Sequence, residues 1–243
     1  MKQFDAEILE NRELAPDCFE LSFLWPEGLR APLPGQFVTV GDRTSVSFLR
    51  PRASIATFDR ATRTASFFYL ARSAGSLAQK RGGEIVDLLG PRGFAFQPVK
   101  DKQPLLVGSG AGIGALVFGA NSLAAKGYRP RLLLGTAKGS SPAFRLAPEV
   151  NCSTTSEEHL VTALGSEDAA GCFVWAAGPN ETLRRVHLWS QSSGVPCQVC
   201  LETLTACGVG ACQGCTVATT GARQFARVCT EGPVFSSEVI QWT

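Results

Sequence analysis

The chain has only two histidines, His159 and His187, a formal net charge of just +2, and no long hydrophobic run in its 243 residues. Each scarcity excludes something. Neither histidine stands near residues that would form a nucleophile and base pair, and no Ser-His-Asp or paired-carboxylate pattern is present, so side-chain acid–base catalysis is not what the sequence advertises. The longest apolar runs, such as "RLLLGTA" at 131–137, fall well short of the ~20 residues of a membrane span. Basic residues are scattered, which leaves no electrostatic footprint for nucleic acid. The opening "MKQFDAEILENREL" carries acidic residues where a signal peptide needs an apolar stretch, so a cytoplasmic location is expected. There is no internal repeat and no low-complexity tract. With 44% hydrophobic and 18% charged residues the chain is neither disordered nor membrane-like, and it is long enough for two domains and a small third unit.

What the sequence does have is cysteine, nine in all, four of them in "ACGVGACQGCTVATTGARQFARVC" at 206–229. In a reducing compartment such clustering points to metal or redox chemistry rather than disulfides. Structural zinc usually takes two similar Cys-x2-Cys knuckles. Here Cys207, Cys212 and Cys215 share one short loop and Cys229 returns from a distance, giving Cys-x4-Cys-x2-Cys-x13-Cys. That is the plant-type ferredoxin spacing used for a 2Fe–2S cluster. Gly208, Gly210 and Gly214 supply the backbone freedom and close approach that wrapping a cluster demands. Zinc, and four unrelated buried cysteines, are the competing readings. Cys197 and Cys200 form a separate Cys-x2-Cys without a partner pair, which a strand would point to opposite faces or a turn would split, and read as ordinary buried cysteines; Cys18, Cys152 and Cys172 read as core or surface residues without roles.

Three units follow one another. Residues 1–98 alternate in short β-type runs ("FELSFLW", "GQFVTVG", "TASFFYLA") between Pro and Gly turns, which predicts a small β-barrel. Residues 99–191 change texture. "QPLLVGSGAGIGALVFGANSLAAKGYRPRLLLGTA" reads strand, glycine turn, helix ending near Gly127, and strand, while "CFVWAAGPNETLRRVHLWSQS" reads strand, turn and helix, with Asn180 as its cap. This predicts a Rossmann-like α/β layer. Residues 192–243 read as the cysteine module.

The order barrel, nucleotide layer and cysteine module, closed by "LETLTACGVGACQGC…VCTEGPVF", resembles the electron-transfer subunit of class B dihydroorotate dehydrogenase, within the ferredoxin-reductase superfamily. The flavin subunit of NADH-dependent ferredoxin:NADP oxidoreductase is similar but carries Asp at the place of Cys207. The resemblance implies an FAD-binding barrel, an NAD-binding layer and a 2Fe–2S cluster on Cys207, Cys212, Cys215 and Cys229. "PGQFVTV" (34–40) resembles the turn and strand under the flavin. "LRPRASIA" (49–56) resembles the Arg-Pro-x-Ser flavin signature, with Pro51 at the arginine's place and Arg50 and Arg52 on either side. Either arginine is expected to meet the pyrophosphate, with Ala53, Ser54 and Ile55 reaching the flavin. In the next element the resemblance adds Leu70, Arg72, Gly75 and Ser76 as cofactor contacts, Gly75 and Ser76 opening a short helix, and "LLGPRG" as the turn closing the barrel strand. In "GSGAGIGA" (108–115) it makes Gly110, Gly112 and Gly114 the approach for NAD(H), beside "VWAAGPNETL", where Ala177 stands in the place of the family's Cys. It further implies an oxidoreductase subunit that passes electrons between NAD(H), FAD and the cluster. The recipient is an FMN-containing catalytic subunit, in a heterotetramer of two of each, serving pyrimidine biosynthesis. A reductase subunit for another oxidoreductase, and a zinc-stabilised module without catalysis, are the alternatives.

Overall fold

The computed structural model describes residues 2–41, 49–71, 75–137 and 143–242. Six strands build the first unit: β1 (Lys2–Ala15), β2 (Cys18–Leu24), β3 (Phe37–Gly41), β4 (Arg52–Asp59), β5 (Thr64–Leu70) and β6 (Ile85–Arg92). They close into a barrel in the order β1-β2-β5-β4-β3-β6, every neighbouring pair antiparallel. Period-two alternation explains the closure, because one face of each strand fills the interior. Ile8, Leu21, Phe23, Val38, Val40, Ile55, Phe67 and Leu88 form that interior core. Gly75–Gln79 forms a short 3-10 helix, as expected of Gly75 and Ser76. The "LLGPR" stretch differs from expectation: it lies inside β6, not in a turn. A Cβ on Gly90 would sit 2.7 Å from Val38 Cγ1, so the glycine lets β3 and β6 approach and the strand runs on to Arg92.

The second unit contains β7 (Gln103–Ser109), α1 (Ile113–Ala124), β8 (Arg131–Thr136), β9 (Asn151–Ser156), α2 (Leu160–Leu164), β10 (Cys172–Gly178), α3 (Asn180–Ser192), β11 (Cys197–Leu201), β12 (Thr216–Ala218), β13 (Phe225–Arg227), α4 (Val228–Glu231) and β14 (Val234–Ser236). A six-stranded sheet runs β14-β11-β10-β7-β8-β9, parallel except for the β11–β14 pair; β12 and β13 form a separate hairpin. Strands β11 and β14 were expected in the cysteine module, yet they extend the α/β sheet. β11 is interior, its side chains covered on both faces by the two cores, while β14 closes the edge of the sheet. Cys197 and Cys200 accordingly point to opposite faces, one into each core.

Helix α1 is wedged between the sheet and the outside of the barrel, packing Ile113, Leu116, Val117 and Ala120 against Ala56 and Phe68 on one side and Leu106 and Trp175 on the other. Gly127, with φ of +86°, follows its last turn. At α3 the N-cap is Pro179 and no side chain caps it; Asn180 is already the first helical residue. His187 is buried on α3: it stacks on Trp242 and its Nδ1 lies 3.0 Å from Ser237 Oγ, and burial pulls its pKa below the usual value. No helix among the described residues is long and apolar enough to cross a membrane.

Candidate functional site

Strand order locates the first part of the site. Strands β7, β8 and β9 proceed outward in one direction, and the chain then crosses back to place β10 on the other side of β7. Neighbouring crossovers therefore diverge between β7 and β10, and in open α/β sheets ligands bind beyond the carboxyl ends at that point. The glycine turn sits there: Gly110–Gly112 forms a 3-10 turn directly after β7, leading into α1. A Cβ on Gly112 would lie 2.6 Å from Gly178 N and 2.7 Å from the Ala177 carbonyl carbon, so two backbones touch at this place. Gly110 faces Pro179, and Gly114 packs α1 onto Ala56, Phe68 and the Ser54 carbonyl of the barrel. Ser109 Oγ is buried here with no hydrogen-bond partner among the described residues. An orphan hydroxyl beside a glycine turn at a switch point fits a bound dinucleotide.

The second part is the outer face of β3 and β4. Ala53 and Ile55 point into the barrel core, so only their backbones face outward; Arg52 and Ser54 carry the outward side chains. The two arginines are both engaged. Arg50 Nη1 lies 2.7 Å from Asp87 Oδ2, and Asp87 also accepts from Gln3 Nε2. Arg52 donates to the Leu201 carbonyl, lies 3.3 Å from Cys200 Sγ and 3.5 Å from Ser54 Oγ, and covers the Phe37 ring at 4.7 Å. Arg52 thus ties the barrel to β11. Beside it, burial pushes the Glu202 carboxyl up, with the guanidinium pulling in the opposite direction. Leu70 ends β5 and Ser76 lies in the short 3-10 helix, while Arg72 lies outside the described residues. Arg50 Nε is buried with no partner among the described residues. This donor, next to the outward face of β4, fits an anionic cofactor on the barrel wall.

The third part is the cysteine loop, which leaves the sheet at the carboxyl end of β11, one strand from the β10 end. Cys207 and Cys212 interact as one pair and Cys215 and Cys229 as a second, with Cys229 carried by α4. Among the described residues no three His, Cys, Asp or Glu side chains stand together in ready metal-holding geometry. The backbone is nonetheless arranged around sulfur. Val209 and Cys212 N–H groups donate to Cys207 Sγ, Gly214 N–H to Cys212 Sγ, and Cys229 N–H to Cys215 Sγ, each at 3.4 Å. The Cys212 amide above all pulls the Cys207 thiol down to about 6, whereas burial, then the neighbouring Cys215, pushes Cys229 up to about 11. Amides aimed at sulfur favour thiolate ligands. Gly208 has φ of +64°, a left-handed turn that a side chain would strain. Three further buried hydroxyls, Thr39, Thr203 and Thr230 Oγ1, have no hydrogen-bond partner among the described residues. Sequence reasoning singled out none of these threonines, nor Ser109; a hydroxyl inside an apolar run such as "PGQFVTV" was the available signal.

A closed antiparallel barrel followed by a mainly parallel sheet defines the ferredoxin-reductase-like class. The chain superposes on a chain of the NADH-dependent reduced ferredoxin–NADP oxidoreductase with a TM-score of 0.81 at 23% identity, covering 98% of this chain and 90% of the other. A ferredoxin reductase of carbazole 1,9a-dioxygenase gives 0.66 at 19% identity, covering 80% and 64%. The C-terminal residues 202–241 match the model of the iron–sulfur cluster binding domain of dihydroorotate dehydrogenase B. The electron transfer subunit of dihydroorotate dehydrogenase B (NAD(+)) from Caldanaerobacter subterraneus subsp. tengcongensis is 31% identical over 97% of both chains, and that from Geobacillus kaustophilus is 31% identical over 96% of both. The chain belongs to this family of electron transfer subunits.

Proposed function

We propose that the chain carries electrons between NAD(H), bound at the Gly110–Gly112 turn, and a separate FMN-containing dihydroorotate dehydrogenase chain, by way of FAD on the barrel wall beside Arg50 and β4 and a 2Fe–2S cluster on Cys207, Cys212, Cys215 and Cys229. The observation that carries the reading is convergence. The carboxyl ends of β7, β10 and β11 lie side by side, so the glycine turn, the Arg52 seam and the cysteine loop open onto one edge of the sheet. FAD and the cluster supply the interchange between two-electron hydride chemistry and single-electron transfer.

The protein's own residues bind and orient. Ser109 and the turn amides would hold the dinucleotide diphosphate, where the Gly112 and Gly178 backbones come close together. Ala177, fully buried at the end of β10, packs against the Gly112 turn. Arg50 and the outward backbone of residues 53–55 hold the flavin, and the Arg52 bond to the Leu201 carbonyl fixes the barrel against the strand that feeds the cysteine loop. Leu204, Val209 and Phe225 are exposed around that loop, the first by 76%, and give the catalytic chain an apolar landing surface beside the cluster ligands. All nine cysteines are free, in keeping with a reducing cytoplasm. The experiment is reconstitution: mixed with the catalytic chain, the protein should confer NAD(+)-dependent oxidation of dihydroorotate that neither chain has alone. A mixture as inactive with NAD(+) as the catalytic chain by itself would refute the proposal.

A further inference from the structure

Strand β3 has two outward side chains, Phe37 and Thr39, and the cysteine module covers both. Phe37 is fully buried in the core that also holds Cys215, Val228 and Cys229. Thr39 is likewise fully buried, and it abuts the loop that carries the first three cysteines: a Cβ placed on Gly208 would lie 3.1 Å from Thr39 Cγ2 and 3.8 Å from its Oγ1. Yet Thr39 Oγ1 has no hydrogen-bond partner among the described residues. Thr230 mirrors it on the other side of the loop. Its Oγ1 is also buried and unpartnered, 3.2 Å from where a Gly210 Cβ would stand, and it directly follows Cys229. Two orphan hydroxyls thus bracket the stretch from Gly208 to Gly210, from barrel and from α4. A buried hydroxyl without a partner is costly, so its usual explanation is a ligand that completes it.

We propose that Thr39 and Thr230 donate hydrogen bonds to sulfurs of the cluster bound in this loop, so that a residue of the flavin barrel helps to set the cluster's reduction potential. The inference rests on the 2Fe–2S reading of the four cysteines. Hydrogen bonds to cluster sulfurs stabilise the reduced, more negative state and raise the potential. Thr39 is therefore a tuning contact that crosses the seam between barrel and cluster module.

The test is an anaerobic redox titration, followed by electron paramagnetic resonance, of full-length wild type, Thr39→Val, Thr39→Ser and Thr230→Val, with iron, acid-labile sulfide and flavin counted on each. Valine keeps the shape and removes the donor; serine keeps the donor. The expected result is a more negative cluster potential in both valine variants, a wild-type potential in Thr39→Ser, and unchanged iron, sulfide and flavin. In protein stripped of the cluster, Thr39→Val should melt higher than wild type, because the orphan hydroxyl is gone. A full cluster complement with an unmoved potential in Thr39→Val would overturn the inference while leaving the cluster reading intact. Loss of flavin with an unmoved cluster potential would overturn it too, by assigning the hydroxyl to the flavin. Wild type without iron and sulfide would overturn both readings. Should Thr39→Val fail to fold, an unshifted potential in Thr230→Val would still count against the proposal.

Discussion

Replacing Arg52 with methionine removes a guanidinium while keeping most of the hydrophobic stem, and the structure sets the size of the effect. Lost are a charged donor to the Leu201 carbonyl, a contact to Cys200 Sγ at 3.3 Å and the cation–π cover over Phe37 at 4.7 Å. A hydrogen bond from a charged group contributes about 1.5–3 kcal/mol and a cation–π contact about 0.5–1 kcal/mol, less where the side chain is part-exposed, so roughly 2–4 kcal/mol is expected here. At about 2–4 °C per kcal/mol for a chain of this size, the melting midpoint of cofactor-free protein should fall by roughly 5–15 °C. The loss also carries a pH signature through Glu202. Burial holds that carboxyl above its ordinary range and Arg52 opposes the rise, so removing Arg52 raises the folded-state pKa further. A raised carboxyl leaves the fold unpenalised below the unfolded pKa, and stability is lost as pH rises through the folded one. The Arg52→Met deficit should therefore be larger at neutral pH than at acidic pH. The assay is thermal unfolding at several pH values, with the exposed Arg60→Met as control. A midpoint drop no greater than the control's, or a deficit that shrinks as pH rises, would refute the reasoning.

Cys212→Ser should lower iron and acid-labile sulfide while leaving FAD bound; metal and sulfide counts equal to wild type would remove Cys212 from the ligand set. Gly112→Ala forces a Cβ against the Gly178 and Ala177 backbone, neither of which is a flexible side-chain end. It should cost about 1–3 kcal/mol of stability and weaken NADH binding, with cluster content unchanged, as calorimetry and metal analysis would show. Leu204→Glu, at the exposed rim of the cysteine loop, should leave stability within about 0.5 kcal/mol of wild type yet weaken association with the catalytic chain about tenfold or more, read by sedimentation. Unchanged association would move the docking surface elsewhere.

The barrel was legible because its strands alternate: "FELSFLW", "GQFVTVG" and "TASFFYLA" became β2, β3 and β5 with an apolar set on the interior face. The β7–α1–β8 unit was equally plain, from apolar strands around a glycine turn. Strand β11 was not, since "CQVCL" sits among cysteines that pull attention to metal, and only pairing with β10 shows it as an interior strand. Polar β9, "NCSTTS", carries no apolar pattern at all; it is an edge strand held by its ladder to β8. For the site, cysteine spacing was readable because ligand geometry imposes it. The engagement of Arg50 by Asp87 and of Arg52 by Leu201 was not, because both partners lie far along the chain. The same holds for the orphan hydroxyls of Ser109 and Thr39, whose meaning arises only where separate elements meet.

The most direct test of the electron-relay account is a visible spectrum of anaerobically purified protein before and after NADH, with iron, sulfide and flavin counted on the same sample. The account predicts one flavin and one two-iron, two-sulfide cluster per chain, and bleaching of both sets of bands on addition of NADH. A protein that lacks iron and sulfide, or one whose flavin and cluster bands ignore NADH, would contradict it.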